Sequence, residues 1–284
     1  MRTGRLVQLG PAHAAAAYAY CEAHPHHCAF IAGWIRAGGL SHSPTVPNGW
    51  LLAEADGAGP ILGLVYISDT GIVLPALGTP EAEQDLVRIG HRNPAATRVL
   101  VGERAQIQRV WSGLERSGAR ARQVRDQRGY AVTQGQFISG GDLNLAPATD
   151  ACLDALVQAS AAMAREEAKD DPQSRNPSLF RERIRERMLR GRDMVYLQDD
   201  RLLFKSNVST ISPLAGQIEG IYTMPSARRT GLGTRGTSAV TRWVLSQAAQ
   251  AFLLVNEDNQ AAQRLYERLG YTYVLQSRTV FVAP

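Results

Sequence analysis

The run Pro225-Ser226-Ala227-Arg228-Arg229-Thr230-Gly231-Leu232-Gly233-Thr234 constrains this chain more than any other. An apolar stretch, Ile218 to Met224, precedes it, and a helical pattern, Thr237 to Ala249, follows. Strand, glycine-rich turn and helix is the arrangement that closes backbone N–H groups on a phosphate. Glycines keep side chains out of the way, and the helix N-terminus adds a partial positive charge. The expectation is a pyrophosphate site in the C-terminal third.

Two common phosphate loops do not fit. A Walker A loop ends in Gly-Lys-Ser/Thr, whereas this one continues Gly233-Thr234-Arg235. Gly231, Gly233 and Gly236 have the G-x-G-x-x-G spacing of a dinucleotide fold. However, the loop lies late in the chain, and no βαβ unit with an acidic ribose ligand follows it.

Downstream, Phe252-Leu253-Leu254-Val255 reads as a buried strand. Asn259 then suits a helix N-cap, and Ala262, Leu265, Tyr266 and Leu269 share one helical face. Gly270 stands where a C′ glycine stops a helix. A final strand, Thr272 to Val282, closes the chain.

Arg228, Gly231 and Gly233, followed by Asn259, Ala262, Leu265, Tyr266, Gly270 and Tyr271, resemble the paired motifs of the GCN5-related N-acetyltransferase (GNAT) superfamily. The resemblance covers about residues 142–284. It implies an α/β (α+β) fold, a mixed sheet flanked by helices, and acetyl-CoA or another acyl-CoA as co-substrate with no metal. By resemblance, the amides of Arg229, Thr230, Gly231, Leu232, Gly233 and Thr234 cradle the pyrophosphate, with Arg228 adding charge. Ile221, Tyr222 and Thr223 pair with the pantetheine arm, and one of their amides faces the thioester carbonyl. Asn259 bonds near the pantetheine or caps its helix. Tyr266 is the acid that protonates the leaving sulfur, a role open to a phenol because it stays protonated at neutral pH.

The base is less defined. Some relatives carry a glutamate where this chain has Leu254, so that base does not carry over. Glu219, on the strand before the loop, is the leading replacement. Glu166 and Glu167 are the alternatives, placed where carboxylates oppose a helix dipole. The expected reaction is direct acyl transfer to an amine acceptor, small molecule or protein. A non-catalytic acyl-CoA-sensing or interaction module is the rival, and a homodimer stays open.

Hydrophobic content of 44% and charged content of 20% describe a folded, soluble chain with no membrane-spanning apolar run. No signal-peptide block follows Met1, and three cysteines make no disulfide scaffold, so a cytoplasmic protein is expected. Net charge is +5, with arginine greatly exceeding lysine. Arg181 to Arg187 alternates sign, as a solvated ion-paired helix does, which argues against nucleic acid as a partner. Cys21, His24, His26, His27 and Cys28 suggest a metal cluster, but no second ligand pair follows and Pro25 breaks a helix there.

The chain before residue 142 has a similar rhythm of short strands and helices. The expectation is two domains. Residues 1–141 form a degenerate acetyltransferase-like or accessory domain without the two motifs, and residues 142–284 form the acyl-CoA-binding domain. Val101-Gly102-Glu103, Trp111, Arg122 to Arg125, Phe204-Lys205 and Glu166-Glu167 resemble, more loosely, an actinobacterial two-part acetyltransferase group whose N-terminal role is undefined.

Overall fold

In the computed structural model, residues 5–43, 46–55, 60–168 and 171–283 are described. Asp56 to Gly59, which the sequence pattern reads as the turn between two alternating strands, lie outside them, as do Lys169 and Asp170. The chain forms two compact units. One comprises Met1–Tyr130, Leu254–Asp258 and Tyr273–Pro284; the other comprises Ala131–Leu253 and Asn259–Thr272.

The first unit runs β1 (Arg5–Gln8), α1 (Ala14–Ala23), α2 (Pro25–Arg36), β2 (Gly49–Ala55), β3 (Ile61–Ser68), β4 (Ile72–Ala76), α3 (Pro80–Arg92), β5 (Val99–Glu103), α4 (Arg104–Arg116) and β6 (Ala121–Thr133). β1 to β4 pair antiparallel in sequence order, and β4 pairs parallel with β5. Val65, Leu86, Leu100, Ile107, Val110 and Trp111 form its core.

The second stretch repeats the order. It runs β7 (Ala146–Pro147), α5 (Leu153–Ala168), α6 (Pro172–Arg175), α7 (Pro177–Met188), β8 (Asp193–Gln198), β9 (Arg201–Ile211), β10 (Gly216–Thr223), α8 (Leu232–Leu245), β11 (Gln250–Asn256), α9 (Gln260–Arg268) and β12 (Thr272–Val282). β7 to β10 are again antiparallel neighbours, and β10 pairs parallel with β11. A parallel pair needs a crossover, which α8 supplies. α5 and α7 cover this sheet through Leu156, Val157, Ile184, Met188, Val195 and Leu202.

The compact units are not linear segments divided at residue 141. The last strand, β12, pairs antiparallel with β5, from Ser277↔Glu103 to Phe281↔Val99, and belongs to the first unit. The first strand of the second stretch is short and sits at Ala146–Pro147, not over Asp142 to Leu145, where the sequence pattern places a strand. β6 starts at Ala121, nine residues before Tyr130, where the apolar pattern of the sequence begins a strand. Its arginine-rich first half lacks apolar alternation, yet Arg122 and Arg125 lie over the Phe281 ring of β12 at 5.6 and 4.6 Å.

α1 ends at Ala23 with His24 as its C-cap, and Pro25 opens α2 at its first position. Cys21 and Cys28 are buried free thiols, and among the described residues no three His, Cys, Asp or Glu side chains gather to hold a metal ion. Among the same residues, no helix is long and apolar enough to cross a membrane.

α8 lies close against β9 because Gly236 has no side chain. A Cβ there would lie 2.7 Å from the ring of Phe204, which is fully buried. Gly236→Leu is therefore expected to cost about 1–3 kcal/mol of stability. Denaturant unfolding monitored in the second unit measures it, and an unchanged midpoint contradicts this packing.

Candidate active site

The site begins where β10 leaves its sheet. Among the described residues, pairing with β11 covers only Gly216, Gln217 and Ile218, and none of β10 beyond Ile218 pairs on that side. Toward β9 the ladder slips between Glu219↔Asn207 and Tyr222↔Lys205. That bulge bends the strand and leaves an open backbone edge from Glu219 to Thr223.

The loop follows at once. Pro225–Ala227 form one 3-10 turn, and Thr230 Oγ1 donates to the Ala227 carbonyl at 2.8 Å. Arg229 (φ +63°) and Gly231 (φ +80°) are both left-handed. Arginine adopts that conformation only at a cost of roughly 1–2 kcal/mol. Gly231 is the N-cap of α8, and no side chain caps the helix there. Among the described residues, the amides of Arg229, Thr230, Gly231, Leu232 and Gly233 donate to no backbone carbonyl outside the helix. The first turn of a helix offers them none within it.

Residues 228–231 are exposed, and a Cβ on Gly231 would meet nothing within 4 Å. These are the features of an open anion cradle, and they fit a pyrophosphate. The expected helix start at Thr237 is corrected to Leu232. The glycines that weaken a helical pattern are the ones that bring its first turn to the loop.

α9 packs beside that turn. A Cβ on Gly233 would lie 3.0 Å from Thr223 Oγ1 and 3.7 Å from Leu265 Cδ1. Asn259 caps α9, its Oδ1 accepting from the Ala262 amide at 3.1 Å. Tyr266 is 7% exposed, and its ring lies 5.9 Å from that of Tyr271. Burial, and then the nearby Glu167 carboxylate, push its hydroxyl well above the ordinary tyrosine range. Tyr266 therefore holds its proton at neutral pH and can donate it.

Arg228 is already engaged. Its guanidinium donates to Glu166 Oε2 at 2.7 Å and to the Thr223 carbonyl at 3.0 Å. Tyr222 donates to the other Glu166 oxygen at 2.5 Å, and burial followed by that bond pushes Tyr222 up to about 12. One carboxylate at the end of α5 thus ties the strand to the loop.

Glu219 stands apart from this cluster. Its carboxylate accepts from Ser209 Oγ at 2.9 Å and Gln217 Nε2 at 2.7 Å. Glu219 is exposed as a residue, while desolvation at the carboxylate raises its pKa against the lowering effect of those two bonds and of Arg187.

Lys205 was not among the expected site residues. It is 2% exposed on β9, and its Nζ donates to the Gly220 carbonyl at 3.0 Å. Burial, and then the Arg187 charge, pull its pKa down to about 7. Only its place in a short run with Phe204 drew notice in the sequence; an internal strand lysine carries no motif.

The corresponding helix of the first unit is closed. The amides of Gly78 and Thr79, at the start of α3, donate to Glu54 Oε2 at 2.8 and 3.3 Å, and Thr79 Oγ1 caps the Ala82 amide. Glu54 is fully buried. Its carboxylate satisfies the two amides that lead into that helix.

Residues 208–282 match a protein-family model described as FR47-like protein. No curated protein matches the chain significantly. Solved structures match nearly its whole length. A Drosophila protein superposes with a TM-score of 0.69 at 14% identity, covering 98% of each chain. A tandem GNAT protein from the clavulanic acid biosynthesis pathway, in a form without AcCoA, gives 0.56 at 14% identity over 98% of this chain and 97% of its own. A GCN5-related N-acetyltransferase from Kribbella flavida gives 0.55 at 15% identity, covering 93% and 94%. The chain has the GNAT fold in a two-part form.

The depressed Lys205 pKa makes a stability prediction. Between about pH 7 and the ordinary lysine value of 10.5, the unfolded chain binds this proton and the folded chain does not. Lys205 alone therefore makes the fold less stable as pH falls through that window. Lys205→Met removes the contribution. Denaturant unfolding across the window should show the variant gaining most on the wild type near pH 7 and least near pH 10. A pH-independent difference contradicts it.

Proposed function

We propose that this chain is an acyl-CoA-dependent N-acyltransferase, with acetyl-CoA as donor and an amine, small or protein-borne, as acceptor. One observation carries the reading: the N-terminus of α8 has a left-handed glycine for its cap, no side chain on it, and an open strand edge leading to it. Acetyl-CoA, when bound, supplies an activated acetyl thioester. The amides from Arg229 to Thr234 hold its pyrophosphate, and the backbone of Ile221, Tyr222 and Thr223 orients its pantetheine arm. An N–H of that edge stabilises negative charge on the thioester oxygen.

Tyr266 holds a proton at its hydroxyl and gives it up where charge develops on sulfur. Glu219, its pKa raised, takes the proton of the incoming ammonium directly or through water. Arg228 acts through Glu166, keeping the loop on the strand. The first unit binds no acyl-CoA, because Glu54 fills its anion position.

A second reading, a non-catalytic acyl-CoA-sensing module, is favoured by two facts. Leu254 stands in place of a strand glutamate, and Glu219 makes its hydrogen bonds away from the Glu166 cluster.

Calorimetry should give one acetyl-CoA per chain. Gly231→Glu puts a carboxylate into the cradle and should weaken binding at least about tenfold. Tyr266→Phe should keep the affinity within about threefold while lowering kcat about 10²- to 10⁴-fold. Binding without thiol release across an amine panel supports the sensing module. No binding at all, with Gly231→Glu indistinguishable from wild type, contradicts both readings.

A further inference from the structure

Lys205 is a buried cation without the partner such a group ordinarily has. Among the described residues no carboxylate forms an ion pair with it. The adjacent acid, Asp193, is 2% exposed and held by Arg187 through bonds of 2.7 to 3.1 Å. Lys205 instead spends its Nζ on the Gly220 carbonyl at 3.0 Å, with Met163 Sδ at 3.7 Å. Burying a charge this way opposes folding, so an apolar residue would serve a purely structural position better.

The carbonyl it holds belongs to the bulge. Gly220 has φ +59°, and a Cβ there would lie 2.8 Å from Asn207 Oδ1 and 3.3 Å from Nζ. Gly220 and Ile221 have no partner in the β9 ladder, and pairing with β11 has already ended. The Gly220 carbonyl and the Ile221 N–H are two ends of one trans peptide and point in opposite directions. A cation on the carbonyl draws electron density through the amide and makes the N–H a better donor.

We propose that Lys205 is a positioning residue that fixes the Gly220–Ile221 peptide and strengthens the Ile221 N–H as a donor to the acyl thioester. This rests on the reading of β10 as the acyl-CoA edge. Asp193 and Glu167 favour the charged form of Lys205, while Arg187 and burial oppose it. On β10, Glu219 is bonded to Ser209 and Gln217, and Tyr222 to Glu166, so neither takes the place of Gly220 as acceptor. When Lys205 loses its proton, the hold on the carbonyl weakens.

The test uses the intact protein. Calorimetry with acetyl-CoA at about pH 6 and about pH 8.5 should show wild-type affinity falling roughly fivefold as pH rises. Lys205→Met should bind with the weaker affinity at both values. In parallel, the Ile221 amide of ¹⁵N-isoleucine-labelled wild type, free of ligand, should shift with a midpoint near pH 7. That measurement needs no variant to fold. PH-independent binding that is equal in both proteins, or a flat Ile221 shift, overturns the role of Lys205 and leaves the acyl-CoA reading standing. No acetyl-CoA binding by wild type at either pH overturns the reading and the proposal together.

Discussion

The second unit is organised around a helix that starts without a cap. Four N–H groups at the start of any helix lack intrahelical acceptors, and proteins ordinarily satisfy them with Ser, Thr, Asp or Asn. Here the residue in that position is Gly231, in a left-handed turn that Arg229 shares at an energetic cost. The surrounding packing holds this arrangement in place. Gly236 seats α8 on Phe204, Gly233 lets Thr223 and Leu265 close on its first turn, and Glu166 ties Arg228 to Tyr222. These donors, exposed from Arg229 to Gly231 and without backbone acceptors among the described residues, are the basis of the anion site proposed above.

The first unit makes the same argument in reverse. It has the same succession of strands and helices, and its α3 begins in the same topological place as α8. Yet Thr79 caps that helix, and the buried Glu54 carboxylate accepts from the two amides before it. One fold thus carries two helix starts, one satisfied from within and one left open. Fold alone therefore does not assign binding; the proposed site rests on the satisfaction of a few N–H groups.

The loop and the α9 motif were legible because they depend on local chemistry. Gly231, Asn259 and Gly270 each sit where a backbone requirement selects the residue, and Asn259 caps α9 as its spacing implied. The repeated element order also showed through turn signals and apolar patterning. What was not legible depends on residues far apart in sequence. Lys205 became notable only when β10 bulged over it, and Glu54 only when Gly78 and Thr79 folded onto it. The place of β12 beside β5 is a pairing of strands about 175 residues apart, which no local pattern encodes. Arg228 bears on the same point. Its motif marked it for phosphate, whereas its guanidinium is bonded to Glu166 and the Thr223 carbonyl.

Amide hydrogen exchange with and without coenzyme A tests the central claim most directly. The account predicts that the ligand slows exchange at Arg229 to Thr234 and along Ile221 to Thr223. It also predicts that Gly78 and Thr79 of the first unit are already protected and do not change. Protection that appears at Gly78 and Thr79, or none at Arg229 to Thr234 at saturating ligand, would contradict it.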